Sequence, residues 1–269
     1  MKEMTLKDIQ SVSLDVLKEF HRFCVENNLK YSLAYGTLIG AVRHKGFIPW
    51  DDDVDILMPR PDYNRFVSLY KDNENYNLFA DEKKNCYLAY GRLAEMKRTL
   101  VDTPTIWANK KTGIWIDIMV LDGVEDDRNS FLSTVDVATK YWKNLFRGRF
   151  ALSEFSSRRS FLSTLALLRA KLFYNSLYKN LYKQLAICHK YEYDKCSHIS
   201  NMTHFLYTSR SYFSKDIFKD VMKMPFEDSE FYVMNGYDTF LTEIYGDYMQ
   251  QPPVEQRVVS HSIHSYYWK

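Results

Sequence analysis

The chain has 269 residues, 46% of them hydrophobic and 26% charged, with a formal net charge of +2. That profile is ordinary for a soluble globular protein with a substantial core, arranged as one large domain or two intimate halves. It leaves no room for a membrane-spanning helix: the longest near-apolar stretch, around Phe161 to Leu168, is broken by Ser163 and Thr164 and stopped by Arg169, far short of the roughly 20 residues a span needs.

The N-terminus carries Lys2, Glu3, Lys7 and Asp8 where a secretory signal would need an apolar run, so a cytoplasmic location is expected. Leu6, Ile9, Val12, Val16, Phe20, Phe23 and Cys24 recur at three- and four-residue steps, which predicts a helix over residues 5 to 28 with Thr5 as its cap. Tyr31 to Tyr35 reads as a strand, and Gly36-Thr37 opens a second helix through Val42. After a turn at Gly46 to Pro49, Asp53 to Met58 alternates polar and apolar side chains, predicting a strand that Pro59 and Pro61 end. A helix is expected over Asp62 to Tyr70, strands near Tyr87 to Leu93 and Thr99 to Val101, and the clearest strand over Ile114 to Leu121.

From Ser130 to Lys190 the pattern turns helical and basic. Between Lys140 and Lys190 there are eleven bases (Lys140, Lys143, Arg147, Arg149, Arg158, Arg159, Arg169, Lys171, Lys179, Lys183 and Lys190) against the single acid Glu154. Ser200 to Lys269 mixes short helices with turns at Asn235-Gly236 and Gln251-Pro252-Pro253. The four cysteines, Cys24, Cys86, Cys188 and Cys196, form no CxxC pair, and Cys188, His189, Cys196 and His198 lack zinc spacing, so all four read as reduced thiols, mostly packed.

Asp51-Asp52-Asp53-Val54-Asp55 admits three readings. A solvated acidic turn needs no chemistry. A calcium loop fails, because Ile56 stands where that loop needs glycine and Asp62 replaces its terminal glutamate. The third reading is a two-metal site for phosphoryl transfer: alternate strand residues share a face, so Asp53 and Asp55 can hold divalent ions about 3.5–4 Å apart, and a cation would offset their repulsion. Asp117, inside the otherwise apolar Ile114 to Val120, must meet a metal, an arginine or backbone amides, because an unpaired buried carboxylate is costly.

Gly36-Thr37, an Asp-x-Asp strand and a third strand acid are together similar to the nucleotidyltransferase superfamily that includes DNA polymerase β. More closely, the run from Tyr35-Gly36-Thr37 through Arg43 and Trp50 to Asp53-Val54-Asp55 resembles the signature of the bacterial LicD family of phosphocholine transferases. The resemblance continues through Arg92-Leu93, Thr99, Gly113 to Ile118, Leu121-Asp122-Gly123 and Pro225-Phe226-Glu227-Asp228. It ends in Tyr237-Asp238, Leu241, the Tyr245 to Pro253 segment, Arg257 and His261, while the basic helical middle carries no matching motif.

The resemblance implies an α+β fold with a polymerase β-like mixed-sheet core and a large helical portion. It further implies one catalytic domain over 1–269, divided into a nucleotidyltransferase core (1–125), a basic helical segment (126–200) and a C-terminal segment expected to pack back near the site (201–269). It also implies transfer of phosphocholine from CDP-choline to a sugar hydroxyl of a lipid-linked glycan of the cell envelope, a teichoic acid or lipopolysaccharide-type precursor, with release of CMP. Ribitol phosphate transfer, as in the fukutin-type relatives, nucleotidyl transfer and a non-catalytic binding module remain alternatives.

For that chemistry Asp53, Asp55 and Asp117 would hold Mg²⁺ or Mn²⁺, with Asp51 orienting the cluster from outside. Gly36 and Thr37 would let backbone and hydroxyl approach a phosphate, and Arg43 and Arg92 would clamp phosphate. Trp50, Tyr245, Asp247 and Tyr248 are expected at the substrate site, with choline recognised by aromatic faces. The basic middle, interleaved with aromatics, is expected to meet anionic lipid rather than nucleic acid, for which no binding motif is present.

Overall fold

The computed structural model describes residues 1–149, 177–203, 208–258 and 264–269. Glu154, Arg158, Arg159, Arg169, Lys171 and His261, and the Phe161 to Leu168 stretch, lie outside the described residues. In chain order the elements are β1 (Lys2–Glu3), α1 (Leu6–Glu26), β2 (Ser32–Leu33), α2 (Tyr35–His44), β3 (Asp55–Pro59), α3 (Arg60–Leu69), β4 (Tyr76–Phe79), β5 (Gly91–Glu95), β6 (Thr99–Asp102), β7 (Trp115–Val124) and α4 (Arg128–Arg149). They continue with α5 (Leu177–Cys188), β8 (His198–Ser200), β9 (Phe213–Ser214), β10 (Val221–Phe226), β11 (Ser229–Met234), α6 (Tyr237–Tyr245) and β12 (Ser265–Trp268).

The main sheet runs β2-β3-β7-β5-β4, with β8 and then β9 joined to the C-terminal end of β7. Strands β3 and β7 are parallel and the other pairs antiparallel. This is a mixed α+β arrangement, as expected. Helix α1 is capped as its sequence predicts: the Asp8 amide donates to Thr5 Oγ1 at 3.2 Å and the Thr5 amide to Asp8 Oδ2 at 2.8 Å, a reciprocal capping box. Its buried stripe, including Val16, Leu17, Phe20 and Cys24, joins one core with Ile56 of β3, Phe66 of α3, Ile118 of β7, Phe231 of the β10–β11 hairpin and Phe240 of α6. Helices α4 and α5 close smaller clusters, one formed by Leu145, Leu181, Leu185 and Ala89.

Several boundaries differ from the sequence expectation for physical reasons. The strand expected over Tyr31 to Tyr35 shortens because Tyr35 turns into a left-handed conformation (φ +48°) to begin α2. For a tyrosine that costs about 1–2 kcal/mol, and its hydroxyl is held by Asn201 at 2.8 Å. Pro61 lies in the first turn of α3, where the missing N–H is no loss. The strand expected from Tyr87 begins only at Gly91, since the Tyr87 amide is spent on the Trp107 carbonyl (2.8 Å). Strand β4 and the β10–β11 hairpin were not expected; the hairpin turns through Glu227 at φ +56°, a position with no glycine or asparagine to signal it. Inside the stretch expected to be helical, β8 is a strand of the main sheet, and the two termini meet as β1 and β12, which pair in a small sheet with β6. Cys24, Cys86 and Cys188 are buried and Cys196 half-buried. Among the described residues no helix is long and apolar enough to cross a membrane.

Candidate active site

The register of three neighbouring strands assembles the centre of the site. Asp55 on β3 lies opposite Asp117 on β7, and Asp117 lies opposite Arg92 on β5. In-register residues of adjacent strands share a face and stand about 4.8 Å apart, so two carboxylates and a guanidinium form a row. Strand β3 begins at Asp55, leaving Asp53 in the preceding loop, yet the period-two pattern persists: Val54 is fully buried between half-buried Asp53 and Asp55. The Val54 carbonyl accepts from the Asp117 amide at 2.9 Å, which extends the β3–β7 pairing into that loop.

The first turn of α2 positions the acids. Thr37 Oγ1 accepts from the Asp55 amide at 2.9 Å. A Cβ added at Gly36 would lie 2.8 Å from Asp51 Oδ2, so glycine is what lets that carboxylate sit against the start of the helix, where the helix dipole favours negative charge. Gln10 Nε2 fixes the same loop by donating to the Asp51 carbonyl at 2.9 Å. Gly36 therefore admits the Asp51 carboxylate, and Thr37 holds the Asp55 backbone in place.

Asp51, Asp52 and Asp53 each bring a carboxylate oxygen within 4.8 Å of the others. Burial, then the charges of Asp53, Asp117 and Asp51, push the Asp55 carboxyl well above its ordinary range, against a smaller opposing pull from Arg92. Arg92 donates through Nε to Asp117 Oδ1 at 2.5 Å and through Nη2 to Oδ2 at 3.3 Å. Its guanidinium lies 4.4 Å from the ring centres of both Trp107 and Trp115, a cation–π sandwich that keeps it rigid. Arg92, expected as a phosphate clamp, here orients Asp117, and Asp117 has met the arginine its burial required.

This centre opens into a small cleft lined by Asp52, Asp53, Arg92, Trp115, Asp117 and Tyr266 among others. Tyr266 donates to Asp52 Oδ2 at 3.4 Å. Sequence reasoning passed over Asp52, Trp107, Trp115 and Tyr266. Trp115 was findable, since it stands two residues before Asp117 on the same strand face; Trp107 in a loop and Tyr266 on the last strand carry no local signal. The donor set fits a hard divalent cation: several carboxylate oxygens crowd together with one arginine as offset.

The remaining expected site residues form a second group. Arg43 donates to the Tyr248 carbonyl at 3.0 Å and the Gln250 carbonyl at 3.4 Å, tying the end of α2 to the C-terminal segment. Tyr248 donates to Asp238 at 2.5 Å, Asp247 accepts from the Met249 and Gln250 amides of its own turn, and Tyr245 ends α6. Trp50 stacks under Arg257 at 5.5 Å. The Pro225 to Asp228 motif is also a clasp, with Glu227 accepting from the Phe47 amide at 2.9 Å and its own amide donating to the Lys45 carbonyl at 2.8 Å.

A family profile described as LicD/FKTN/FKRP, nucleotidyltransferase domain, matches residues 28–130, a span that contains every acid of the site. The chain is 33% identical over 275 residues to the lipopolysaccharide cholinephosphotransferase LicD of Haemophilus influenzae, covering 99% of both chains. It is also 31% identical over 124 residues to an uncharacterized protein of Rickettsia prowazekii, covering 45% of this chain and 44% of that one.

Proposed function

The chain belongs to the LicD family, and from that premise we propose that it transfers phosphocholine from CDP-choline to a sugar hydroxyl of a cell-envelope glycan precursor, releasing CMP. The observation that carries this reading is the row Asp55–Asp117–Arg92 with Asp51 and Asp53 beside it at the mouth of a cleft. The full-length likeness to a protein named as a lipopolysaccharide cholinephosphotransferase supports the donor headgroup and the glycan acceptor. The family profile supports a nucleotidyltransferase-type core.

In the reaction the acceptor oxygen forms a bond to the choline-bearing phosphorus, the bond from that phosphorus to the bridging oxygen breaks, CMP departs and the acceptor hydroxyl loses its proton. Asp51, Asp53, Asp55 and Asp117 are the residues that would hold Mg²⁺ or Mn²⁺. When bound, the metal supplies charge neutralisation for the donor diphosphate and polarisation of the reacting phosphate. The chain's own contribution is rigid placement: Thr37 fixes the Asp55 backbone, Gly36 admits Asp51, and Arg92 between two tryptophans fixes Asp117.

We further propose that the enzyme works at an anionic membrane surface, where a lipid-linked acceptor is held. Lys140, Lys143 and Arg147 on α4, and Lys179, Lys183 and Tyr182 on α5, are exposed, and such residues suit a lipid interface.

The test of the reaction is incubation with CDP-choline, CDP-ribitol and ATP in turn, with Mg²⁺ and a glycan precursor, followed by mass analysis. Gain of phosphocholine with stoichiometric CMP is expected. A ribitol phosphate adduct would reassign the donor, and a nucleotide left on the acceptor would reassign the reaction.

A further inference from the structure

Strand β12 reaches the acids from outside the main sheet. Its pairing with β6, in which Ser265 stands opposite Asp102 and Tyr266 opposite Val101, fixes the course of the chain end. Alternate residues of an extended chain share a face, and His264 and Tyr266, two apart, both line the cleft with Asp53 and Asp117. The half-buried His264 ring meets two others edge to face, its centre 5.6 Å from that of Trp115 and 6.2 Å from that of Tyr266. Trp115 stands two residues before Asp117 on β7, and Tyr266 donates to Asp52. Both ring neighbours of the imidazole are therefore tied to the acidic centre.

Transfer to a hydroxyl needs a group that takes its proton, and most groups lining the cleft are committed to other work. Both oxygens of Asp117 are engaged by Arg92. Asp53 belongs to the carboxylate cluster that would hold a cation. Burial, then the charge of Asp52, pushes the Tyr266 phenol well above its ordinary range, so it keeps its proton and donates. Histidine is the side chain whose ordinary titration falls between about pH 5 and 8, which suits general-base catalysis at neutral pH. The charged and titratable groups around His264 are Asp52 and Asp53 from the loop, Arg92 from β5, Asp117 from β7, Tyr266 from β12 and, across the β12–β6 pairing, Asp102.

Resting on the phosphotransfer reading above, we propose that His264 is the catalytic base that takes the proton of the acceptor hydroxyl. A neutral ring nitrogen accepts that proton as the acceptor oxygen bonds to phosphorus. The bond from phosphorus to the bridging oxygen breaks, CMP leaves with its electron pair, and the imidazolium then returns the proton to solvent. The test measures kcat and donor KM for the full chain in Mg²⁺ with a glycan precursor, across pH 5 to 9, for wild type, His264→Gln and His264→Ala, together with unfolding midpoints. CDP-choline, CDP-ribitol and ATP are offered in turn. Wild-type kcat should fall below about pH 6.5, where an ordinary imidazole is protonated. His264→Gln should lose about a hundredfold or more in kcat, and that acid limb with it, at an unchanged donor KM and midpoint. Added imidazole should restore part of the rate to His264→Ala, which a merely structural histidine would not allow. Should His264→Ala not fold, the glutamine variant decides through its pH profile. Wild-type kcat and pH profile in His264→Gln, or a loss confined to KM or to the midpoint, overturns the assignment, as does a wild type that transfers from none of the three donors. If transfer occurs from CDP-ribitol alone and depends on His264 in this way, the phosphocholine reading falls and this assignment stands. If CDP-choline is turned over without such dependence, the reverse holds.

Discussion

Strand β7 carries two aspartate–arginine pairs on opposite faces, and only one of them belongs to a reactive centre. Near its C-terminal end Asp122 accepts from Arg60 at 2.6 and 3.1 Å, with side chains 1% and 11% exposed. Burial alone would depress the Arg60 pKa, yet the Asp122 charge raises it well above its ordinary value. Near the N-terminal end Asp117 and Arg92 form a pair of similar geometry, at 14% and 12% exposure. What differs is the surroundings, since Asp117 shares its face with Asp55, and Asp53 and Asp51 press on the same carboxyl. A buried ion pair says little about function. A surplus of one sign beside a cleft marks a place where a charged ligand completes the balance.

The largest expected effect separates the two ends by activity. Asp53→Asn and Asp55→Asn should each lower phosphocholine transfer by at least about a thousandfold while the fold survives; near-normal turnover in either purified variant would break the comparison. Exhaustive chelation should stop the wild-type reaction and Mg²⁺ or Mn²⁺ restore it, and undiminished activity after chelation would remove the metal from the account. Gly36→Ala sharpens the comparison at one atom: its new Cβ would displace the Asp51 carboxylate, and we expect turnover to fall by roughly ten- to a hundredfold, as for a catalytic constellation misplaced by about 1 Å. An alanine variant with wild-type kinetics would show that Asp51 takes no part.

The smallest effect concerns the exposed basic face. Lys179→Glu with Lys183→Glu should weaken co-sedimentation with anionic vesicles by about 1 kcal/mol per base removed, and high salt should do the same to the wild type. Equal binding to neutral and anionic vesicles would leave those lysines as solvated charge.

The sequence carried what is local. Three- and four-residue spacing revealed α1 and its Thr5 cap, an apolar run revealed β7, alternation marked Asp53 and Asp55, and a lone acid within that apolar run marked Asp117. What it could not carry is register between strands. The Asp117–Arg92 pair exists because β5 and β7 align at those two residues, and nothing near either one announces it. For the same reason Arg43 read as a phosphate clamp, although its guanidinium is engaged by carbonyls of the distant Tyr248 and Gln250. Gly36 read as a phosphate turn, although the group pressed against it is Asp51. Arg149 was one base among eleven until packing showed that it alone among the described residues of that run is a buried guanidinium.

The most direct measurement compares unfolding midpoints of wild type, Asp55→Asn and Asp122→Asn, first with metal removed and then with Mg²⁺ added. Asp122→Asn leaves Arg60 buried without its counter-charge and should lose about 3 kcal/mol, roughly 6–12 °C, while keeping the wild-type rise on adding Mg²⁺. Asp55→Asn relieves repulsion and should be at least as stable as the wild type without metal, and should lose that rise. A metal-free Asp55→Asn chain that is destabilised as Asp122→Asn is, and still gains stability from Mg²⁺, would contradict the account.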